Sequence, residues 1–416
     1  MIYIWRKFNM DYELLEKGIE QGFVQYTDVS RKLTIDGQTK AYQVYKIRLD
    51  KLFYNDQNDR IATWISKYIS ENGELNIEDT ENYNDIIQKF IIESNEAAIK
   101  QTKNNIQMVN QREAGVVLKD GRIIDGNRRF TCLRMLNKEK PLDFKWFEAV
   151  ILDADMKTDA KQVKLLELMI QHGEESKVDY NPIDKIVGLY NDVVEKKLIT
   201  DQEYIDSTGM SQAEFNNKKA EAILMVEFLE HINAPKQYFL AREMGLDGPL
   251  VELVNILKKA TNDEDRENFK IVGFNTILLR PGNDITRYIR NSVKPILISE
   301  YKDEFIDAQL DIGEEVLVEL PEELTRESIN TVLRKDGESQ LVYKMSQEVK
   351  KYEEKLKKGE LKEKPLKQLR KSLEMLEGIN PDIVPKMSLE HLEEMESLLN
   401  EMEQAVEGLR EIVNAE

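Results

Sequence analysis

One run, Gly115 to Phe130, leaves few folds open to the chain. Ala114-Gly115-Val116-Val117-Leu118 is short, apolar and rich in β-branched residues, as a buried strand requires. Lys119-Asp120-Gly121-Arg122 follows as a turn, and Ile123-Ile124 as its hairpin partner. Asp125-Gly126-Asn127-Arg128-Arg129 then opens a helix that continues through Phe130, Leu133 and Leu136. Trp146 to Leu152 reads as a third strand. The order predicts a small mixed α/β unit with a strand-to-helix corner at Gly126.

That corner is suited to an anion. A glycine lets backbone N–H groups approach a ligand closely, and a helix N-terminus adds partial positive charge. Arg128 and Arg129 supply forked donors suited to phosphate. Adjacent residues of a helix point about 100° apart, so one arginine is expected to grip the ligand while the other pairs with a carboxylate such as Asp125. A capped helix carrying two solvated arginines is the alternative reading of these five residues.

A chain of 416 residues exceeds one compact core and suggests two or three units. Turn residues Asp36-Gly37 precede a strand-like Tyr42 to Leu49, and a polar loop runs from Asn55 to Arg60. Residues 62–110 have helical spacing and read as an insert, so the first domain is expected to span 1–160. A helical domain is expected at 161–235. There Asn181-Pro182 starts a helix, and residues 202–215 have a helix-turn-helix layout centred on Gly209. Residues 236–335 read as mixed α/β, and 336–416 as a charged helical hairpin or coiled coil. In that tail Leu392, Leu399, Val406 and Val413 share one heptad position, and Met395, Met402 and Leu409 the other. Residues 344–371 hold eleven Lys/Arg against five Asp/Glu, residues 389–416 one against nine, and opposite charge favours pairing of the two helices. The upstream helix is expected to break between Gly359 and Pro365. The pairing is either an intramolecular hairpin or a homodimer contact.

The charge balance, 59 basic against 78 acidic residues, gives −19 and argues against a general DNA coater. No window approaches the roughly 18 apolar residues of a bilayer-spanning helix, and the first residues lack a signal-peptide core, so a cytoplasmic protein without membrane contact is expected. One cysteine, Cys132, and three histidines exclude an internal disulfide and zinc-type spacing. Cys132 lies among Phe130, Leu133 and Leu136 and reads as a buried structural thiol.

Gly115 to Phe130 resembles the heart of the ParB/sulfiredoxin-like superfamily, whose partition proteins carry a Gly-Glu-Arg-Arg box after such a hairpin. Upstream, the strand into Leu49-Asp50-Lys51-Leu52 and the loop ending at Arg60 resemble the family's first box. Downstream, Asp179-Tyr180-Asn181-Pro182-Ile183-Asp184 resembles the opening of its helical domain. The resemblance spans roughly 42–230 and implies an α+β fold: a small mixed-sheet domain, then a mostly helical region, here ending in the charged helices. It further implies a nucleoside triphosphate, CTP or ATP, with Mg²⁺, cradled by Gly126, Asn127, Arg128 and Arg129, with Arg60 approaching from the first loop. The family's box glutamate is Asn127 here, and an amide is no general base, so hydrolysis by that route is not expected. In place of the later Glu-Asn-x-Gln-Arg box stands His172-Gly173-Glu174-Glu175-Ser176-Lys177, where Glu174 and Glu175 are the candidate Mg²⁺ ligands. A solvated helix end is their alternative reading.

For DNA, the second helix of the helix-turn-helix offers Gln212, Asn216 and Asn217 to base edges and Lys218 and Lys219 to phosphates. Residues 200–222 nevertheless sum to −3, and packing or partner binding would suit the pair of helices equally well. Arg280, Arg287, Arg290 and Lys294 form a second basic candidate, whose alternative is solvated helix decoration. Three functions follow. The first is a ParB-like nucleotide-binding, DNA-associated regulator or clamp. The second is an enzyme of the same fold, an ATP-using phosphotransferase or nuclease in a mobile-element or phage-defence setting. The third is a non-catalytic subunit that recruits a protein partner through its C-terminal helices.

Overall fold

A computed structural model of the chain describes residues 14–35, 37–156, 158–173, 181–335 and 339–414. It divides into two units, Met1–Val349 and Lys350–Glu416. The fold is α+β: a six-stranded mixed sheet near the N-terminus followed by a helical region.

After a short helix α1 (Glu16–Glu20), strands β1 (Val24–Ile35) and β2 (Gln38–Arg48) pair antiparallel, Ile35 facing Gln38 across the turn. Asp36 lies outside the described residues. Strand β3 (Phe53–Tyr54) precedes three helices, α2 (Ala62–Asn72), α3 (Thr80–Ser94) and α4 (Glu96–Val109). Then come β4 (Gly115–Leu118), β5 (Arg122–Asp125), α5 (Asn127–Glu139) and β6 (Trp146–Leu152). The sheet order is β1-β2-β6-β4-β5-β3, with β4 parallel to β6 and antiparallel to β5.

All four residues of β4 are buried, because both sheet faces are covered. Val117, Ile123, Phe147 and Ala149 pack with Phe130 and Leu133 of α5 and with Ile87 and Phe90 of α3. Val116, Leu118, Ile124 and Val150 face the other way, against Val163, Leu166 and Ile170 of α6 (Ala160–Gly173). A sheet enclosed by helices excludes water from both faces and reads as continuous apolar runs.

The helical region runs through α7 (Pro182–Leu189), α8 (Asp201–Thr208), α9 (Gln212–His231), α10 (Tyr238–Glu243), α11 (Asp247–Leu257) and α12 (Asp263–Leu279). It continues with α13 (Ile285–Tyr288), α14 (Lys294–Leu297), α15 (Lys302–Val318) and α16 (Arg326–Ile329), with π-helical turns at Ile289–Val293 and Asn330–Arg334. Side-chain caps start many of these helices. Asn181 accepts from Ile183 N–H ahead of Pro182, Thr200 forms a capping box with Glu203, and Ser211 accepts from Glu214 N–H. The expectation of mixed α/β over 236–335 is corrected: its described residues hold helices and no strand. The cause is burial. In α12 every residue from Val272 to Leu279 is buried, and a helix covered on all sides loses the periodicity that marks it.

The long helix α17 (Gln340–Glu377) passes through Gly359 and Pro365 without the expected break. A proline removes one backbone bond and typically costs about 3 kcal/mol, but its neighbours in α17 are mostly lysine, glutamate and leucine, which favour helix. The second unit holds the remainder of α17 and α18 (Leu389–Asn414). Its heptad residues Leu399, Met402, Val406 and Leu409 are 45–46% exposed, so the seam read from the sequence is half open to solvent.

Candidate functional site

The corner is built as the sequence suggests. Gly126 sits at φ 102°, and a Cβ there would meet the Phe147 ring at 2.9 Å. Only glycine holds that backbone without strain. Gly126 also occupies the cap position of α5 and offers no side chain to the first turn, so the helix begins with uncapped N–H groups.

Five residues named from the sequence, Arg60, Gly126, Asn127, Arg128 and Arg129, line one cleft of about 490 Å³. Arg60 arrives from the 3₁₀ turn Asp59–Ile61, where Asn58 Oδ1 accepts from the Arg60 N–H at 3.1 Å. The two arginines of α5 divide their work. Arg129 Nη1 donates to Glu113 Oε2 at 2.6 Å, and Nη2 to Asp125 Oδ2 at 3.2 Å, an oxygen that also accepts from Arg31 at 2.8 Å. Arg129 is thus clipped into the wall. Arg128 makes no ion pair among the described residues, and burial, with Arg60 and then Arg129 nearby, lowers its pKa. Asn127 Oδ1 is buried without a hydrogen-bond partner. An open guanidinium, uncapped N–H groups and an unsatisfied amide oxygen suit a ligand bearing both phosphate and donor groups.

Behind the cleft lies a buried charge cluster. Lys164 Nζ stands 2.9 Å from Asp59 Oδ1, 3.0 Å from Asp192 Oδ2 and 3.6 Å from Glu167 Oε2. Burial works against the lysine's charge, but Asp59, Glu167 and Asp192 outweigh it and hold its pKa well above the ordinary value. Burial pushes the Glu167 carboxyl up to about 7 despite Lys164, and raises Asp192 as well. One ammonium cannot neutralise three buried carboxylates, so a proton is retained among them near neutral pH. Glu167 and Gln171 also line the cleft, and Gln171 Nε2 donates to Glu167 Oε1 at 2.9 Å. Sequence reasoning missed Lys164, Glu167 and Gln171. Their i, i+3, i+7 spacing on α6 was the available signal, and it reads equally as a solvated face.

Glu174 and Glu175 lie outside the described residues. Among the described residues no group of three or more metal-ligating side chains could hold a cation. Of the carboxylates that line the cleft, Glu113 and Asp125 are paired with arginines and Glu167 stands on the Lys164 ammonium, so the described residues do not fit Mg²⁺. Cys132 is fully buried, its Sγ 3.5 Å from Ile99 O and its thiol pushed up to about 12 by burial, which leaves it inert.

The residues read as DNA contacts are already engaged within the chain. Gln212 Nε2 donates to Asn216 Oδ1 at 2.9 Å, and Asn217 Oδ1 accepts from Lys258 at 2.6 Å. Lys218 pairs with Glu221 and Lys219 with Asp201, each at 2.8 Å. Gly209, at φ 71°, with Met210 and Ser211 joins α8 to α9. In the second basic stretch Arg290 pairs with Glu252 at 2.6 Å, Arg287 lies 3.7 Å from Asp284, and Lys294 is half-buried. Arg280 has Arg326 and Arg334 as its electrostatic neighbours.

No protein-family model matches the chain, and no curated protein matches it. A solved structure titled as a Pnob8-like ParB-N domain is similar at 10% identity and a TM-score of 0.31, over 74% of this chain and 98% of its own.

Proposed function

We propose that the chain is a nucleotide-binding, DNA-associated regulator of the ParB-like kind, with a nucleoside triphosphate seated at the Asp125–Arg129 corner. One observation carries the reading: Arg128 lines the cleft with Arg60 and, among the described residues, has no carboxylate partner. Two like charges held near each other in a partly dry cleft favour a polyanion between them. The first-turn N–H groups of α5 would meet the phosphates, Arg128 and Arg60 would flank them, and Asn127 Oδ1 would accept from a sugar or base donor. With an amide at position 127 and the Asp125 carboxylate held by Arg31 and Arg129, the corner itself offers no unpaired base to activate water, so the ligand would be held rather than turned over there. DNA association rests on the motif resemblance and belongs to the helical region.

Calorimetric titration of ATP, CTP, GTP and UTP into the full chain tests the reading. One nucleotide is expected to bind, and Arg128→Ala to weaken it roughly ten- to hundredfold, the loss of charged hydrogen bonds to phosphate. Absence of binding by all four removes the reading. A DNA-associated regulator further requires that duplex DNA shift the nucleotide affinity and remain uncut.

Glu167 favours a second reading. A carboxyl that titrates near 7 at the edge of an anion cleft has the property of a general acid–base group. The enzyme reading, a phosphotransferase or nuclease, predicts ADP or cleaved DNA after incubation with ATP and duplex, and loss of that product in Glu167→Gln.

A further inference from the structure

A second cationic site lies away from the cleft, on the helical region of the first unit. The π-helical turn Asn330–Arg334 ends in Arg334, whose Nε donates to Leu278 O at 2.9 Å and whose Nη2 reaches Ile277 O at 3.4 Å. Arg334 Nη1 also bonds the side chain of Asn330, and Arg326 stands four residues before Asn330, at the first position of α16. Arg326, Asn330 and Arg334 therefore form an i, i+4, i+8 ladder along one helical segment. Arg280 follows the last residue of α12 directly, in the left-handed conformation at φ 48°. Its backbone ends the helix whose carbonyls hold Arg334.

None of the three arginines makes an ion pair with a described carboxylate, although the chain carries 78 acidic residues. Burial and then the other two arginines push Arg334 down to about 10, and burial with Arg326 lowers Arg280. A helix C-terminus favours a cation in its last turn, and that accounts for Arg334, whose donors are taken by α12 carbonyls and Asn330. It also favours Arg280 at the end of α12 but does not account for Arg326, and the side chains of Arg280 and Arg326 add like charge with no described hydrogen-bond acceptor.

We propose that Arg280 and Arg326, backed by Arg334, form a second oxyanion site that takes a phosphate group. Guanidinium forks match phosphate oxygens in pairs, and a dianion relieves the repulsion among three cations more fully than a single carboxylate does. The phosphate belongs either to a small oligophosphate or to a nucleic-acid backbone. This site goes beyond the cleft reading and stands whether or not the cleft takes nucleotide.

The test uses the full chain carrying Arg128→Ala, so that the cleft contributes little. Inorganic pyrophosphate and a short DNA duplex are titrated separately at two salt concentrations. Binding of pyrophosphate identifies a small-anion site; binding of duplex alone identifies the backbone as the source. In either arm, adding Arg280→Asn and Arg326→Gln together is expected to lower affinity tenfold or more. For duplex the double change is also expected to reduce the salt slope by about two. Asparagine is chosen because it tolerates the left-handed backbone at position 280, and Arg334 is left in place because it holds the end of α12. Arg326→Gln alone, at an exposed position, is expected to cost about fivefold and decides the matter if the double variant melts early. The proposal is overturned if neither probe binds, or if the arginine changes leave affinity unaltered.

Discussion

Lys164 is one buried cation shared by three carboxylates, and this imbalance sets two measurable properties. Lys164→Met would leave Asp59, Glu167 and Asp192 buried without a counter-ion, a change expected to destabilise the first unit by about 3–5 kcal/mol in chemical denaturation. The second property is pH dependence. Glu167, at about 7 in the folded chain, keeps its proton above the ordinary glutamate value of 4.5, as does Asp184, at about 6, above 3.8; burial is the main cause for both. Between roughly pH 4 and 7 the folded state therefore binds more protons than the unfolded one, so stability falls as pH rises through this window. Thermal melts are expected to show a higher midpoint at pH 5 than at pH 8, and Glu167→Gln to flatten that slope and gain stability at pH 8. At this scale the sequence was partly legible. Gly126 with Arg128 and Arg129 is a local motif, so its residues were readable without neighbours. Lys164 and Glu167 were not, since a charged residue within a helical pattern ordinarily faces water and only distant partners make burial tolerable.

Among the elements, the β4–β5–α5 corner depends most on one residue. Gly126→Ala would place a Cβ at positive φ and against Phe147, an expected loss of about 2 kcal/mol or more. The same variant should bind nucleotide more weakly than its stability loss explains, because the first turn of α5 shifts; melting and titration on one preparation check both. Strand β2 was visible from its β-branched and aromatic run, whereas β1 was not. In β1 only Val24 and Leu33 are buried, because an edge strand covered on one side by β2 needs little apolar alternation. The opposite problem hid α12, whose continuous apolar run satisfies either period.

For the whole molecule, a net charge of −19 coexists with two places where arginines stand near one another, Arg128 beside Arg60 and Arg129, and Arg334 beside Arg280 and Arg326. Average charge governs approach from a distance, and local pairing governs a site. The division after Val349 makes a further prediction. Truncation after Glu377 removes α18 and is expected to shift the melting temperature of the first unit by less than about 2 °C, since exposed positions contribute little to folding. Nucleotide affinity should be unchanged, while any complex assembled through Leu399, Met402, Val406 and Leu409 should be lost, as sedimentation would report. The amino-acid sequence alone determined the order of strand, glycine corner and helix, and the placing of two arginines in the first turn after that corner, because backbone sign, helix ends and short periodicities are set by neighbouring residues. Only the tertiary structure decided that Arg129 is clipped while Arg128 stays open, that Lys164 gathers three acids, and that Arg280 meets Arg326 and Arg334. Those outcomes depend on Glu113, Arg31, Asp59 and other groups brought from far along the chain, and long-range pairing leaves no local trace.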